Sequence, residues 1–220
     1  MTSRRADAVS AEADESYRRV AAFLATAVRE KRFDSVLVAS STAGEGSTTV
    51  AARVADLLRE RFGLRPLLVE LNQRRPVYAR RFGLDPGLGL AAIAAGERPV
   101  KACVQHTPRG LPVIVAGVPR PGPEAEAGPA FVVKRILSEL AGDFDLLLVD
   151  APPVLEQADA LSTGAVVPRI VLVVEAGRTP YEAVDRARQA LAANDISIVA
   201  AVLTKQPRVI PEWIYRWLPR

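Results

Sequence analysis

Residues 36–50, Val-Leu-Val-Ala-Ser-Ser-Thr-Ala-Gly-Glu-Gly-Ser-Thr-Thr-Val, pass from a short apolar run through a glycine-containing turn into a helical apolar pattern. The run at 36–38 suits a buried strand, and the stretch 50–61 spaces its apolar residues as a helix does. A loop joining a strand to a helix N-terminus gathers unpaired backbone N–H groups at the positive end of the helix dipole, where anions bind. The order Gly44, Glu45, Gly46, Ser47, Thr48 follows a phosphate-binding loop, whose usual ending is Gly-Lys-Ser/Thr. In that loop the amides cradle phosphates, the lysine reaches the β and γ oxygens, and the hydroxyl holds magnesium. Serine stands here in place of the lysine. The residues expected to meet a nucleotide are Gly44, Glu45, Gly46, Ser47, Thr48 and Thr49, with the metal-facing hydroxyl on Thr48. For Ser47, capping the helix is the preferred role over touching phosphate.

Further Val-, Leu- and Ile-rich runs lie at 66–71, 112–116, 145–150, 169–174 and 196–203, with helical patterns at 46–62, 129–141 and 180–193. Strands apolar on both faces that alternate with helices predict an α/β fold, a doubly wound and mostly parallel sheet covered by helices on both sides. Ligands of such sheets bind at the carboxyl ends of the strands, where Glu70 and Asp150 also fall. A single domain is expected over 14–206, with a helix at 15–29 ahead of the core. Residues 1–13 are expected to be disordered, 117–129 to form a loop by their proline and glycine content, and 207–220 to form a basic tail holding both tryptophans.

The chain has 220 residues, 49% hydrophobic and 25% charged, with a net charge of +4, which suits one sizeable globular core. No run reaches the length of a membrane span, and no signal-type stretch follows the first residues, so a cytoplasmic protein is expected. Cys103 and His106 each stand alone, which excludes an internal disulfide and a cysteine- or histidine-based metal cluster. Arg74, Arg75, Arg80 and Arg81 form the densest basic stretch. Without interleaved aromatics or a recognised motif, it reads as a partner-facing surface rather than a nucleic-acid site.

Read together, several segments carry a resemblance that covers roughly residues 15–206. They are residues 39–55 around Gly44-Glu45-Gly46; 67–76, Leu-Leu-Val-Glu-Leu-Asn-Gln-Arg-Arg-Pro; the 87–97 stretch; 145–153, Asp-Leu-Leu-Leu-Val-Asp-Ala-Pro-Pro; 171–177 with Thr179; and 198–203. The chain resembles the cytoplasmic domain of the bacterial tyrosine autokinases, the BY-kinase family, a P-loop NTPase-like group that partners polysaccharide co-polymerases in capsule and exopolysaccharide synthesis. The resemblance implies ATP or ADP with magnesium as ligands, Glu70 and Asp150 as catalytic carboxylates, and Thr48, Asp150 and Glu70 as metal ligands. It further implies a membrane-embedded co-polymerase as partner, met by a face that includes Arg74 and Arg75, and a place at the inner face of the membrane. Glu15 and Arg18 match part of the family's subunit-interface pattern, whose third position is Ala21, so a homo-oligomer is allowed.

The chain also departs from the family's pattern. Asn72 stands in the second carboxylate position of the 70–76 motif, Thr204 replaces an asparagine near the base, and the tail offers Tyr215 in place of a tyrosine cluster. A hydrogen bond to a charged group contributes roughly 1.5–3 kcal/mol, so binding can survive loss of the lysine. Phosphoryl transfer depends almost wholly on positioning and charge neutralisation and tolerates that loss less well. The expectation is a degenerate, kinase-like component of polysaccharide assembly. The alternatives are an active autokinase or ATPase with a lysine-free loop, and a Min/Par-type positioning ATPase, disfavoured by Thr42 and Ser47 where that group has lysines.

Overall fold

The computed structural model describes residues 2–119 and 128–205, with side chains from Glu15 onward. Each of the six apolar runs becomes a strand: β1 (Ser35–Ser40), β2 (Pro66–Glu70), β4 (Pro112–Ile114), β5 (Leu146–Asp150), β6 (Arg169–Glu175) and β7 (Ser197–Thr204). A further two-residue strand, β3 (Gln105–His106), was not evident from the pattern. The sheet order is β3-β4-β2-β5-β1-β6-β7, parallel throughout except for β3 against β4. The expected doubly wound, mostly parallel sheet is therefore present.

Alternation along the strands explains why both faces are covered, because successive side chains point to opposite sides. Leu37, Leu67, Val69, Leu147, Val149, Ile170 and Leu172 face one layer, with α4 (Leu90–Ala94), α5 (Pro129–Glu139), α6 (Ala158–Gly164) and α7 (Tyr181–Ala193). Val36, Val38, Leu68, Leu146, Leu148, Val171 and Val173 face the other, with α1 (Thr2–Arg29), α2 (Ser47–Phe62) and α3 (Tyr78–Phe82). Every residue of β1, β2 and β5 is buried, as central parallel strands require.

One detail differs from expectation, and others refine it. Helix α1 begins at Thr2, so the stretch 1–13, expected to be disordered, is helical from its second residue; its alanines at 6, 8, 11 and 13 favour helix. Ala21, in the third position of the interface pattern, has no exposure and packs in the layer with α2, while Glu15 and Arg18 are exposed and lie 3.9 Å apart as an ion pair. Pro129 opens α5 at its first turn, where the helical pattern at 129–141 begins, consistent with the fixed φ of proline at a helix start. Residues 120–127 of the expected loop, and the tail from 206 with Tyr215, lie outside the described residues. Among the described residues no helix is long and apolar enough to cross a membrane.

Candidate functional site

Register brings the chemistry to one sheet edge. Asp150 pairs with Glu70 on β2 and with Val38 on β1, so the carboxyl ends of three neighbouring strands converge beside the loop that follows Ser40. The loop turns through Gly44 and Gly46, at φ 86° and 100°, a left-handed region that a side chain at Cβ disfavours. Gly46 is the N-cap of α2, and helical bonding begins with Thr49 and Val50 donating to its carbonyl at 3.0 Å. The first-turn N–H groups of Ser47 and Thr48 precede that pattern, and unpaired amides at a helix start suit an anion. No side chain caps the helix, so Ser47 does not take the capping role expected of it.

A cavity of about 360 Å³ opens in front of the cradle. One wall is the loop and helix start at Gly44, Gly46, Ser47 and Thr48; a second is Asn72, Arg74, Arg75 and Val77 after β2; a third is Ala151, Pro153, Glu156 and Gln157 after β5. The Asn72 side-chain oxygen accepts the Arg75 N–H at 3.2 Å, which ties this residue to its own turn.

Four of the six loop residues expected at a nucleotide line the cavity, and Glu45 and Thr49 do not. Glu45 is 2% exposed and folds behind the loop. Its carboxylate accepts the Ser41 and Thr42 N–H groups at 2.9 and 3.3 Å, the Thr42 hydroxyl at 3.0 Å and the Thr179 hydroxyl at 2.5 Å. Two more distant groups brace the same turn. The Thr204 hydroxyl donates to the Glu45 carbonyl at 2.6 Å, and Lys205 Nζ donates to the Gly44 carbonyl at 2.7 Å and to Glu175 at 3.0 Å. The Lys205 hydrogen bond holds the Glu175 carboxyl below its ordinary range.

The two carboxylates play different parts. Glu70 is buried, and its Oε1 accepts the N–H groups of Val77 and of Tyr78, the latter at 2.9 Å, while Oε2 accepts that of Ala116 at 3.0 Å. Both oxygens are spent on backbone, joining the start of α3 to the end of β4. The structure thus places Glu70 as a structural anchor, against the catalytic and metal-binding roles expected for it. Asp150 is also buried, but its Oδ2 has no hydrogen-bond partner. Burial pushes its carboxyl up to about 7, against the hydroxyls of Tyr78 and Thr48, which favour the charged form, and Glu70 adds to the rise. The Tyr78 hydroxyl also approaches the Thr48 carbonyl at 3.1 Å, the acceptor that its geometry satisfies. Burial, followed by Asp150, raises the Tyr78 hydroxyl well above its ordinary range.

An orphaned buried carboxylate oxygen beside a hydroxyl fits a hydrated magnesium ion, so Asp150 and Thr48 suit the metal and Glu70 does not. No group of three or more His, Cys, Asp or Glu side chains suited to a metal occurs among the described residues. Tyr78, Glu156, Gln157 and Lys205 are members of the site or its frame that the sequence reading missed. The five-residue α3 is too short to show a period, and the others reach the loop only through tertiary contact. Arg74 and Arg75 are exposed at the cavity rim.

No protein-family model matches the chain. The tyrosine-protein kinase YwqD of Bacillus subtilis (strain 168) is 29% identical over 190 residues, which cover 86% of this chain and 79% of that protein. The tyrosine-protein kinase etk of Escherichia coli (strain K12) is 25% identical over 190 residues, 86% of this chain and 26% of the longer relative. Among solved structures, the VpsO kinase domain superposes with a TM-score of 0.76 at 23% identity, covering 89% of this chain and 95% of that one. The cell division ATPase MinD of Pyrococcus furiosus gives 0.67 at 23% identity, covering 84% and 80%. Cobyrinic acid a,c-diamide synthase from Mycobacterium smegmatis, with bound ADP and magnesium, gives 0.65 at 23%, covering 77% and 74%. These likenesses agree with the central parallel sheet and the loop after β1, and the chain is a homologue of the bacterial tyrosine-protein kinases built on their P-loop fold.

Proposed function

We propose that this chain is a nucleotide-binding, catalytically weakened relative of the tyrosine kinases, which serves capsule or exopolysaccharide assembly by binding a membrane-embedded polysaccharide co-polymerase. The observation that carries this reading is the contrast within one cavity. The turn, the open amides and the Asp150–Thr48 pair are kept, while Ser47 occupies the cation's position at the helix start. ATP or ADP would lie against Gly44, Gly46, Ser47 and Thr48, and magnesium, held by Thr48 and Asp150, would supply charge neutralisation at the phosphates. Ser47 offers a neutral hydroxyl where transition-state charge builds up, and Asn72 cannot accept a proton as a carboxylate would. The exposed Arg74 and Arg75 suit an acidic partner surface beside the site, and the partner would hold the domain at the inner face of the membrane.

The test is a calorimetric titration of ATP and ADP with magnesium on the native protein and on Ser47→Lys, beside an ATP-hydrolysis assay. The reading expects binding by the native protein, tighter binding by Ser47→Lys, and hydrolysis near background. Hydrolysis by the native protein that Asp150→Asn abolishes would overturn the weakened-enzyme reading in favour of an active lysine-free ATPase or autokinase. The unpaired Asp150 oxygen is the observation that keeps that second reading open.

A further inference from the structure

Among the described residues, Glu156 is the one acidic residue lining the cavity. It is carried there by an extension of the sheet: beyond Asp150, the Val154 N–H donates to the Ser40 carbonyl at 2.9 Å and the Leu155 N–H to the Ser41 carbonyl at 3.2 Å. This short zipper runs the segment after β5 along the start of the phosphate-binding loop and sets residue 156 beside Ala43. Glu156 Oε1 then accepts the Ala43 N–H at 2.5 Å. A side-chain anion therefore already sits on the strand end of the cradle, whereas the helix end, at Ser47 and Thr48, is open.

The two ends would meet different parts of a nucleotide. Amides at the helix start take the inner phosphates, and the position of the missing lysine serves the outer ones. Besides the loop, the same cavity is lined by Arg74 and Arg75 after β2 and by Glu156 and Gln157 after β5. A terminal phosphate reaching that space would meet the Glu156 carboxylate, with Ser47 in place of the lysine and the charges of Arg74 and Arg75 out at the exposed rim. A diphosphate ends before it.

We propose that Glu156 sets the phosphate-length selectivity of this site, favouring nucleoside diphosphates over triphosphates. This inference rests on the nucleotide-binding reading above. Two like charges about 4 Å apart repel by roughly 1 kcal/mol in water and more where solvent is partly excluded, and a net repulsion of about 1.4 kcal/mol corresponds to a selectivity on the order of tenfold. Glu156→Gln keeps the size and the acceptor for the Ala43 N–H and removes only the charge, and the exposed position lets the variant fold.

The experiment titrates the full chain with ADP and with ATP, each with magnesium, for the native protein, Glu156→Gln and Ser47→Lys. Tighter native binding of ADP than of ATP is expected, with Glu156→Gln raising ATP affinity on the order of tenfold and ADP affinity by less than about threefold. ATP binding that emerges only in Glu156→Gln also supports the inference. An unchanged ADP-to-ATP ratio in Glu156→Gln, with binding still measurable, overturns it and leaves the nucleotide-binding reading standing. Absence of binding in all three proteins overturns both.

Discussion

Replacing Asp150 with asparagine should stabilise the protein, by an amount that grows with pH. Burial moves this carboxyl from an ordinary value of 3.8 up to about 7. A difference of about 3 pK units corresponds to ~4 kcal/mol of linked free energy at about 1.4 kcal/mol per unit. The folded state holds the proton more tightly than the unfolded chain does, so between pH 3.8 and about 7 the folded state binds the excess proton. Native stability therefore declines through that window as pH rises and loses nothing further from this group above it. Asparagine does not titrate. The stability difference between Asp150→Asn and native protein, from urea unfolding at several pH values, should be small near pH 4 and approach a few kcal/mol near pH 8. Carboxylates held low by partners, such as Asp145 beside Arg65 and Glu175 beside Lys205, contribute equally to both proteins and cancel in the difference. A difference that is flat from pH 4 to 8, or that shrinks as pH rises, refutes the assignment of Asp150 as a carboxyl whose burial outweighs its hydroxyl partners. Magnesium gives a second readout, since it should stabilise native protein at pH 8 and leave Asp150→Asn unchanged.

Other substitutions probe the frame of the site. Glu70→Gln puts an amide group where a carboxylate oxygen accepts a backbone N–H, and should lower stability by ~1–3 kcal/mol while sparing magnesium binding; unchanged stability with lost magnesium binding would return Glu70 to the metal site. Thr204→Val removes the hydroxyl that donates to the Glu45 carbonyl and should cost about 1 kcal/mol, with faster amide exchange confined to the 44–48 turn; uniform exchange across the sheet would contradict a local brace. Gly89→Ala places a Cβ 2.4 Å from the Val115 carbonyl oxygen and 2.9 Å from the Gly117 nitrogen, so backbone must move, at a cost of ~1–3 kcal/mol in chemical denaturation. A native-like midpoint for Gly89→Ala would show that the chain after β4 is held less tightly than these distances imply.

The strands were legible because central parallel strands are buried on both faces and write themselves as unbroken apolar runs, as 66–70 and 146–150 do. The short helices α3, α4 and α6 were not, because five to seven residues span too few turns to show a period. Helix α1 was read too short because a polar, alanine-rich stretch lacks an apolar stripe and has helix propensity alone to mark it. At the site, the loop at 44–48 and the strand-end position of Asp150 followed from local order. The different fates of Glu70 and Asp150 did not, since both are acidic residues closing apolar strands and only their hydrogen-bond partners separate them.

Local order along the chain was enough to establish a strand, a tight glycine turn and a helix in succession, the frame of the proposed anion cradle, because each depends on neighbours a few residues apart. Which side chains brace or enter that loop was settled by tertiary contact. Glu156 reaches Ala43 across 113 positions, Lys205 reaches Gly44 across 161, and Thr204 reaches Glu45 across 159. Such partners are set by the order of strands in the sheet, which places the ends of β5 and β7 beside the loop after β1, and no spacing within the chain encodes that proximity.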